Sequence, residues 1–208
     1  MARILRLGPT TAQLVGQIRA AGTDWAPALA RFLTINADAL TAELSNAADG
    51  VNERDYAALM RASREVTTHY KWLIAAGDGD RWKVWLHQYK DDAVTSGSYA
   101  DVPHDHRYNF VSLILSGGYD NVDYKRPDGA EAPLPDGSRT VLRGSAISLH
   151  HRQIHSLAHI RPGTLSLFLQ GRTEKSMSSS YRSDGTERRH ESLETVFDRL
   201  RQHLNDSA

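Results

Sequence analysis

The chain has 208 residues, with 25 Lys plus Arg balanced by 25 Asp plus Glu, and it contains no cysteine. The zero formal charge and the lack of a polybasic block argue against nucleic acid or an anionic membrane surface as a partner. Without cysteine there is no disulfide framework, no thiolate nucleophile and no iron–sulfur site. The length suits a single domain with a sizeable core, or a barrel with a helical lobe. No apolar run reaches bilayer length and the start is too short in apolar residues for a secretory signal, so a cytoplasmic protein is expected.

Residues 10–75 read as helical. Leu14, Val15 and Ile18 form one apolar stripe, and Trp25, Leu29, Phe32 and Leu33 form another. Thr23 or Asp24 is the expected N-cap of the second stripe, with Pro27 in its first turn. The pattern continues from Asn52 to Tyr70 through Tyr56, Leu59, Met60 and Val66. The run Ala76-Gly-Asp-Gly-Asp80 then marks a turn, after which the period changes to two. Trp82, Val84 and Leu86 alternate with Lys83, Trp85 and His87. Further strands are expected at Val111–Leu115, Tyr119–Tyr124, Thr140–Leu142, Ala146–Leu149 and Thr164–Gln170. Pro127-Asp-Gly, Pro133 and Pro135-Asp-Gly suggest a surface excursion, and Ser176-Met-Ser-Ser-Ser180 reads as a loop. At the end, Leu193, Val196, Phe197, Leu200 and Leu204 keep a helical period and predict an amphipathic helix over 190–204. Many short strands at turn-punctuated spacing indicate an antiparallel sandwich or barrel.

The chemistry concentrates in histidine, of which the chain has 10. His104 and His106 are alternate residues, which on an extended segment aim at the same side. His155 follows a later β-like run, and a third imidazole from a neighbouring strand would complete a three-nitrogen face on a divalent metal with open positions left over. Asp105 should point away from such a metal and bond local backbone or Arg107. Arg107 is a candidate for holding a substrate carboxylate, while Tyr119 and Tyr181 could donate to bound oxygen. Trp85, His87 and Tyr89 share one strand face and would line a pocket if it faces inward; the alternation of Trp82, Val84 and Leu86 instead favours those three as core, with His87 solvated. His150 and His151 suit a polar turn, and His159 shares the face of His155 if the strand runs on.

His104-Asp-His106 followed by Gly117-Gly118 resembles the first cupin motif, and Gly144 to His155 resembles the second, over about residues 82–172. The glutamate ligand that many cupins carry is absent, because its places hold Phe110 and Val111. The Pro-x-Gly before the last histidine is replaced at His150 and Arg152. A three-histidine set is similar to that of the thiol dioxygenases (the cysteine dioxygenase-like cupins), which also carry an N-terminal helical lobe. The resemblance implies a mainly β fold with helices: a jelly-roll antiparallel β-barrel over 81–172, a helical lobe over 1–76 and a C-terminal helix, in one domain. It implies Fe(II) on His104, His106 and His155, with Ni, Mn and Zn as alternatives. The activity implied is dioxygenation of a small polar or anionic substrate with O2, and a homodimer is the expected assembly. Redox-neutral metal chemistry or ligand binding without turnover are the rival readings.

Overall fold

The computed structural model describes residues 2–3, 8–20, 25–66, 68–77, 81–90, 101–182 and 187–191. The described residues include four helices near the start: α1 (Pro9–Ala20), α2 (Ala26–Ile35), α3 (Ala37–Asp49) and α4 (Glu53–Ala62). Trp25 occupies the N-cap of α2 without a side-chain cap, while the alternatives Thr23 and Asp24 lie outside the described residues. Glu43 of α3 accepts hydrogen bonds from the Thr10 and Thr11 backbone N–H groups and the Thr11 hydroxyl, so it satisfies the open donors at the start of α1.

The helical reading through residue 75 is too long. α4 ends at Ala62, and β2 (Arg64–Glu65) and β3 (His69–Ala76) follow. β3 carries aromatic and aliphatic residues on both faces because both faces are covered, a pattern that periodicity cannot distinguish from a helix. The remaining strands are β4 (Lys83–Tyr89), β5 (Tyr108–Ser116), β6 (Gly118–Lys125), β7 (Leu134–Leu142), β8 (Ala146–Leu149), β9 (Ile154–Ala158), β10 (Leu165–Thr173), β11 (Met177–Tyr181) and β12 (Glu187–Glu191), with β1 (Ala2–Arg3) at the start. β7 begins within the expected surface excursion. It is the exposed outer partner of β6, where Pro135 needs no ladder donor and a bulge at Asp123/Tyr124 absorbs the irregularity. Ser176–Ser180 is not a loop either: β11 pairs with β12 and, through Ser180, with His104. The C-terminal helix expected over 190–204 lies outside the described residues beyond residue 191, and residues 190 and 191 belong to β12.

All strand pairings among the described residues are antiparallel. One sheet runs β1-β3-β4-β10-β5-β8, with β2 also on β3. The other runs β7-β6-β9, then continues through the single residue His104 to β11 and β12. From β5 onward each connection, up to that between β10 and β11, carries the chain to the opposite sheet or to a hairpin partner, which is jelly-roll connectivity. The fold is thus mainly β with helices, as the sequence pattern and the cupin resemblance lead one to expect. The first sheet buries both faces. Ile74, Trp82, Val84, Val111, Leu113, Leu167 and Leu169 pack against Leu14, Leu29, Leu33 and Leu40 of the helices. Trp85, Tyr89, Phe110, Ile114 and Phe168 pack inward toward Tyr119, Val141 and Leu157 of the second sheet. No described helix is long and apolar enough to cross a membrane.

Candidate metal centre

His104 bridges two strands. Its N–H donates to the His155 carbonyl at 2.8 Å, and the His155 N–H returns the bond to His104 at 2.9 Å. On its other side Tyr181 N–H donates to Pro103, and Asp105 N–H donates to Ser179. This short extended piece therefore lies between β9 and β11 as a strand in miniature, and it fixes His104 beside His155. His106 follows two residues on. Ligand atoms of the three residues lie within 4.8 Å of one another, with His104 and His155 buried. Ring centroids are 4.7 Å apart for His104–His155, 5.0 Å for His104–His106 and 5.1 Å for His106–His155.

Two of the three tautomers are fixed by groups that can only accept. His104 Nδ1 lies 2.8 Å from the Val102 carbonyl, so Nδ1 carries the proton and Nε2 keeps its lone pair. His155 Nδ1 lies 2.8 Å from Asn121 Oδ1. Asn121 is held in that orientation because its amide N–H donates to Asp123 at 2.9 Å, and a carboxylate requires a donor. His155 Nε2 is thus also a lone-pair donor. His106 Nε2 lies 2.9 Å from it, which in the metal-free chain makes His106 the proton donor. Metal binding would require the His106 proton to sit on Nδ1. Such outer partners set imidazole orientation and basicity at metal sites.

The surroundings keep this donor set neutral. Asp105 turns away: it accepts from Ser179 N–H at 2.7 Å and pairs with Lys175 at 2.5 Å. Its partners are therefore the Ser179 backbone, 74 residues away, and Lys175, not the local backbone or Arg107 that the sequence suggested. Phe110 meets the His106 ring edge-on at 4.7 Å, Phe168 stacks on Phe110 at 4.6 Å, and Tyr108 lies 5.7 Å from His106. Burial, followed by the neighbouring His104 and His155, holds His106 well below 6.5. Burial, followed by His104 and Arg139, does the same to His155. The donor set thus fits a divalent metal that prefers nitrogen ligands.

The same burial makes the chain acid-sensitive. His69 is pushed down to about 3, chiefly by burial with Lys71 and Lys90 adding, and His87 is also well below 6.5 for the same leading reason. The folded pKa values of His69, His87, His106 and His155 are lowered, so below 6.5 the unfolded chain binds more protons than the folded one. Stability is therefore full above 6.5 and falls as pH drops, by at most about 1.4 kcal/mol per pH unit for each group. Urea unfolding of the metal-free chain should show a clearly lower midpoint at pH 5.5 than at pH 7.5. An unchanged midpoint would mean that these imidazoles are not held neutral.

The other residues singled out from the sequence are distributed differently. Trp85, His87 and Tyr89 face the sandwich interior, and His87 is only 3% exposed. The expectation of a solvated His87 is thus overturned, since helices cover the Trp82–Val84–Leu86 face and leave the opposite face to the inner core. Trp85 Nε1 donates to Gln170 at 3.1 Å. Tyr119 is buried 6.0 Å from Tyr89, and burial raises both phenols, that of Tyr119 to about 12, so both stay protonated. Tyr181 is buried with Arg126 5.6 Å from its ring centroid. The Arg107 carbonyl accepts from Glu174 and Lys175. Tyr119 and Tyr181 are thus buried side chains, and the Arg107 backbone is engaged by the Glu174–Lys175 bend. His151 bonds Asn109 in a turn beside His150. His159 lies outside the sandwich: β9 stops at Ala158, and His159 turns to φ 50 and pairs with Asp120 at 2.8 Å. The sequence reading missed Asn121, although its place on the Tyr119-Asn121-Asp123 alternation of an apolar strand was a usable signal.

No protein-family model and no curated protein matches the chain. Among solved structures, KdgF from Halomonas sp. aligns at 14% identity and a TM-score of 0.37, over 52% of this chain and 85% of that one. Hydroxypropylphosphonic acid epoxidase from S. wedmorenis aligns at 10% identity and 0.36, over 51% of each chain. The DMSP lyase DddQ from Ruegeria pomeroyi DSS-3 aligns at 14% identity and 0.37, over 57% of this chain and 56% of that one. The chemistry of the site is therefore read from its own residues.

Proposed function

We propose that the chain is a mononuclear non-haem iron enzyme that adds O2 to a small anionic substrate, with His104, His106 and His155 as the ligands. The observation that carries this reading is the convergence of three imidazole nitrogens, two of them with their lone pairs turned inward by Val102 and Asn121. The resemblance to thiol dioxygenases, which share a three-histidine set, supports iron over its neighbours. A ferrous ion held there would supply adjacent positions for a substrate anion and O2. Three neutral ligands leave both positive charges of such an ion uncompensated, which favours thiolate, enolate or carboxylate substrates. The protein's part is to orient the ligands through Val102 and Asn121, and to keep water away with Tyr108, Phe110 and Phe168. Dioxygenation places both oxygen atoms in the substrate, so no separate reductant is required.

The test is the metal content of untagged protein by plasma mass spectrometry, followed by O2 uptake with small thiols and enolisable acids. Stoichiometric iron and substrate-dependent uptake are expected. Stoichiometric nickel, manganese or zinc would replace the oxygenase with redox-neutral chemistry at the same ligands. Protein that takes up no metal after anaerobic reconstitution would refute the enzyme reading.

A further inference from the structure

The lysines of this chain are not equivalent. Of the five, Lys90, Lys125 and Lys175 pair with the carboxylates of Glu65, Asp136 and Asp105. Lys71 of β3 instead stands between Arg64 of β2 and His87 of β4, its partners in register on either side. Its amine lies 5.0 Å from the Trp85 ring centroid, which the Arg64 guanidinium approaches to 5.2 Å and the Lys83 amine to 6.0 Å. Three basic side chains thus gather around one indole, and no described carboxylate pairs with Lys71. Like charges directly opposite each other destabilise a sheet. A lysine can relieve this by releasing its proton, which a guanidinium cannot.

Burial, with Arg64 and Lys83 adding to it, accordingly pushes Lys71 down to about 7. A lysine desolvated beside other cations is a free amine at neutral pH and hence a nucleophile. The residue is half-buried and so is not sealed from solvent. Proton carriers stand next to it. The His87 ring stacks on Phe168 at 4.5 Å, and its Nε2 is buried without a hydrogen-bond partner. His69, one inward-facing position along β3, has its ring 4.4 Å from that of His87. Its Nδ1 meets the Thr68 hydroxyl at 2.7 Å, and its Nε2 is also without a partner. Burial keeps both imidazoles neutral, so each can give a proton from one ring nitrogen and take one at the other.

We propose that Lys71 is a nucleophile that captures the carbonyl group of a small aldehyde or ketone as an imine, with His87 and His69 moving the protons. The amine lone pair forms a C–N bond to the carbonyl carbon, and the C=O π pair moves to oxygen, which takes a proton that the nitrogen gives up. The resulting carbinolamine loses its hydroxyl group, with one further proton from an imidazole, as water. The nitrogen then returns its remaining proton to that imidazole. Nothing is oxidised or reduced and no metal takes part, so the capture stands or falls apart from the metal reading above.

The test treats the full chain with propionaldehyde and cyanoborohydride, which reduces an imine to a stable secondary amine, and reads propylation of each lysine by peptide mass spectrometry. At pH 7.5 Lys71 should react roughly tenfold faster than Lys125 or more, although the Lys125 side chain is 73% exposed. N-acetyl-lysine in the same tube, with its amine titrating near about 10.4, supplies the reference. The advantage of Lys71 over it should shrink as pH rises from 7.5 to 10, whereas a lysine that is merely accessible would keep a constant ratio. His87→Gln, checked for fold by circular dichroism, should slow Lys71 roughly tenfold or more and leave Lys125 unchanged. His69→Gln takes its place if that chain does not fold. Lys71 reacting no faster than Lys125, or a ratio to N-acetyl-lysine that does not change with pH, would overturn the proposal. Parent-like reaction of Lys71 in the folded histidine variant would overturn the part given to the imidazoles.

Discussion

His155→Ala should hold no stoichiometric divalent metal, and Asn121→Leu should hold it roughly 10- to 100-fold more weakly while remaining folded. The first variant removes a ligand nitrogen and leaves two. The second keeps all three imidazoles but removes the oxygen that fixes the proton on His155 Nδ1. His155 is then free to place its proton on Nε2, the atom that should face the metal, and the ring loses its fixed orientation. Asn121→Leu also strips Asp123 of the amide donor it now accepts from, and Asn121 is fully buried, so some loss of stability is expected as well. Competitive titration against a metal-sensitive dye, with circular dichroism to check the fold, distinguishes the effects. Parent-like affinity in Asn121→Leu would show that the outer hydrogen bond does not govern the site.

Gly118→Ala should be the most damaging single-methyl change among the described glycines, lowering stability by about 3 kcal/mol or more. Gly118 opens β6 at the corner where the chain leaves one sheet for the other, with φ at 147°. A Cβ there would stand 2.4 Å from the Val141 carbonyl oxygen and 3.2 Å from Leu142 Cα. Both are backbone atoms of the paired strand and cannot give way without opening the β6–β7 ladder. Thr164 secures the same corner: its hydroxyl accepts from Gly118 N–H at 3.0 Å and donates to the Arg161 carbonyl at 2.6 Å. Gly129→Ala provides the control, since its φ is 78° but no atom lies within 4 Å of the added methyl. It should cost about 1 kcal/mol, from backbone conformation alone. Thermal unfolding of the two variants measures the difference, and equal melting temperatures would mean that the corner is looser than drawn.

The local devices of this chain were legible because they depend on neighbours in sequence. The change from helical to strand period near Gly77, the glycine corner at Gly117-Gly118 and the His-x-His spacing all follow from backbone geometry within a few residues. So did the ligand candidates, since alternate residues on an extended segment face one way whatever lies around them. What surrounds each strand was not legible. β3 looked helical and His87 looked solvated because each face of the first sheet is buried by a different partner, helices on one side and the second sheet on the other. Periodicity reports burial on one face and is silent when both are covered. β11 looked like a loop because its pairing comes from His104 and β12, which no local pattern of serines announces.

The sequence by itself therefore determined the element types near the motifs, the absence of cysteine chemistry and the identity of three histidines. Only the tertiary structure decided which groups those histidines meet. Asn121 reaches His155 across 34 positions and Lys71 meets His87 across two strands, because sheet pairing, not chain distance, sets what a buried side chain touches. A buried polar atom must find its partner in three dimensions. That His155 meets Asn121, while His87 Nε2 has no hydrogen-bond partner among the described residues, is a tertiary fact.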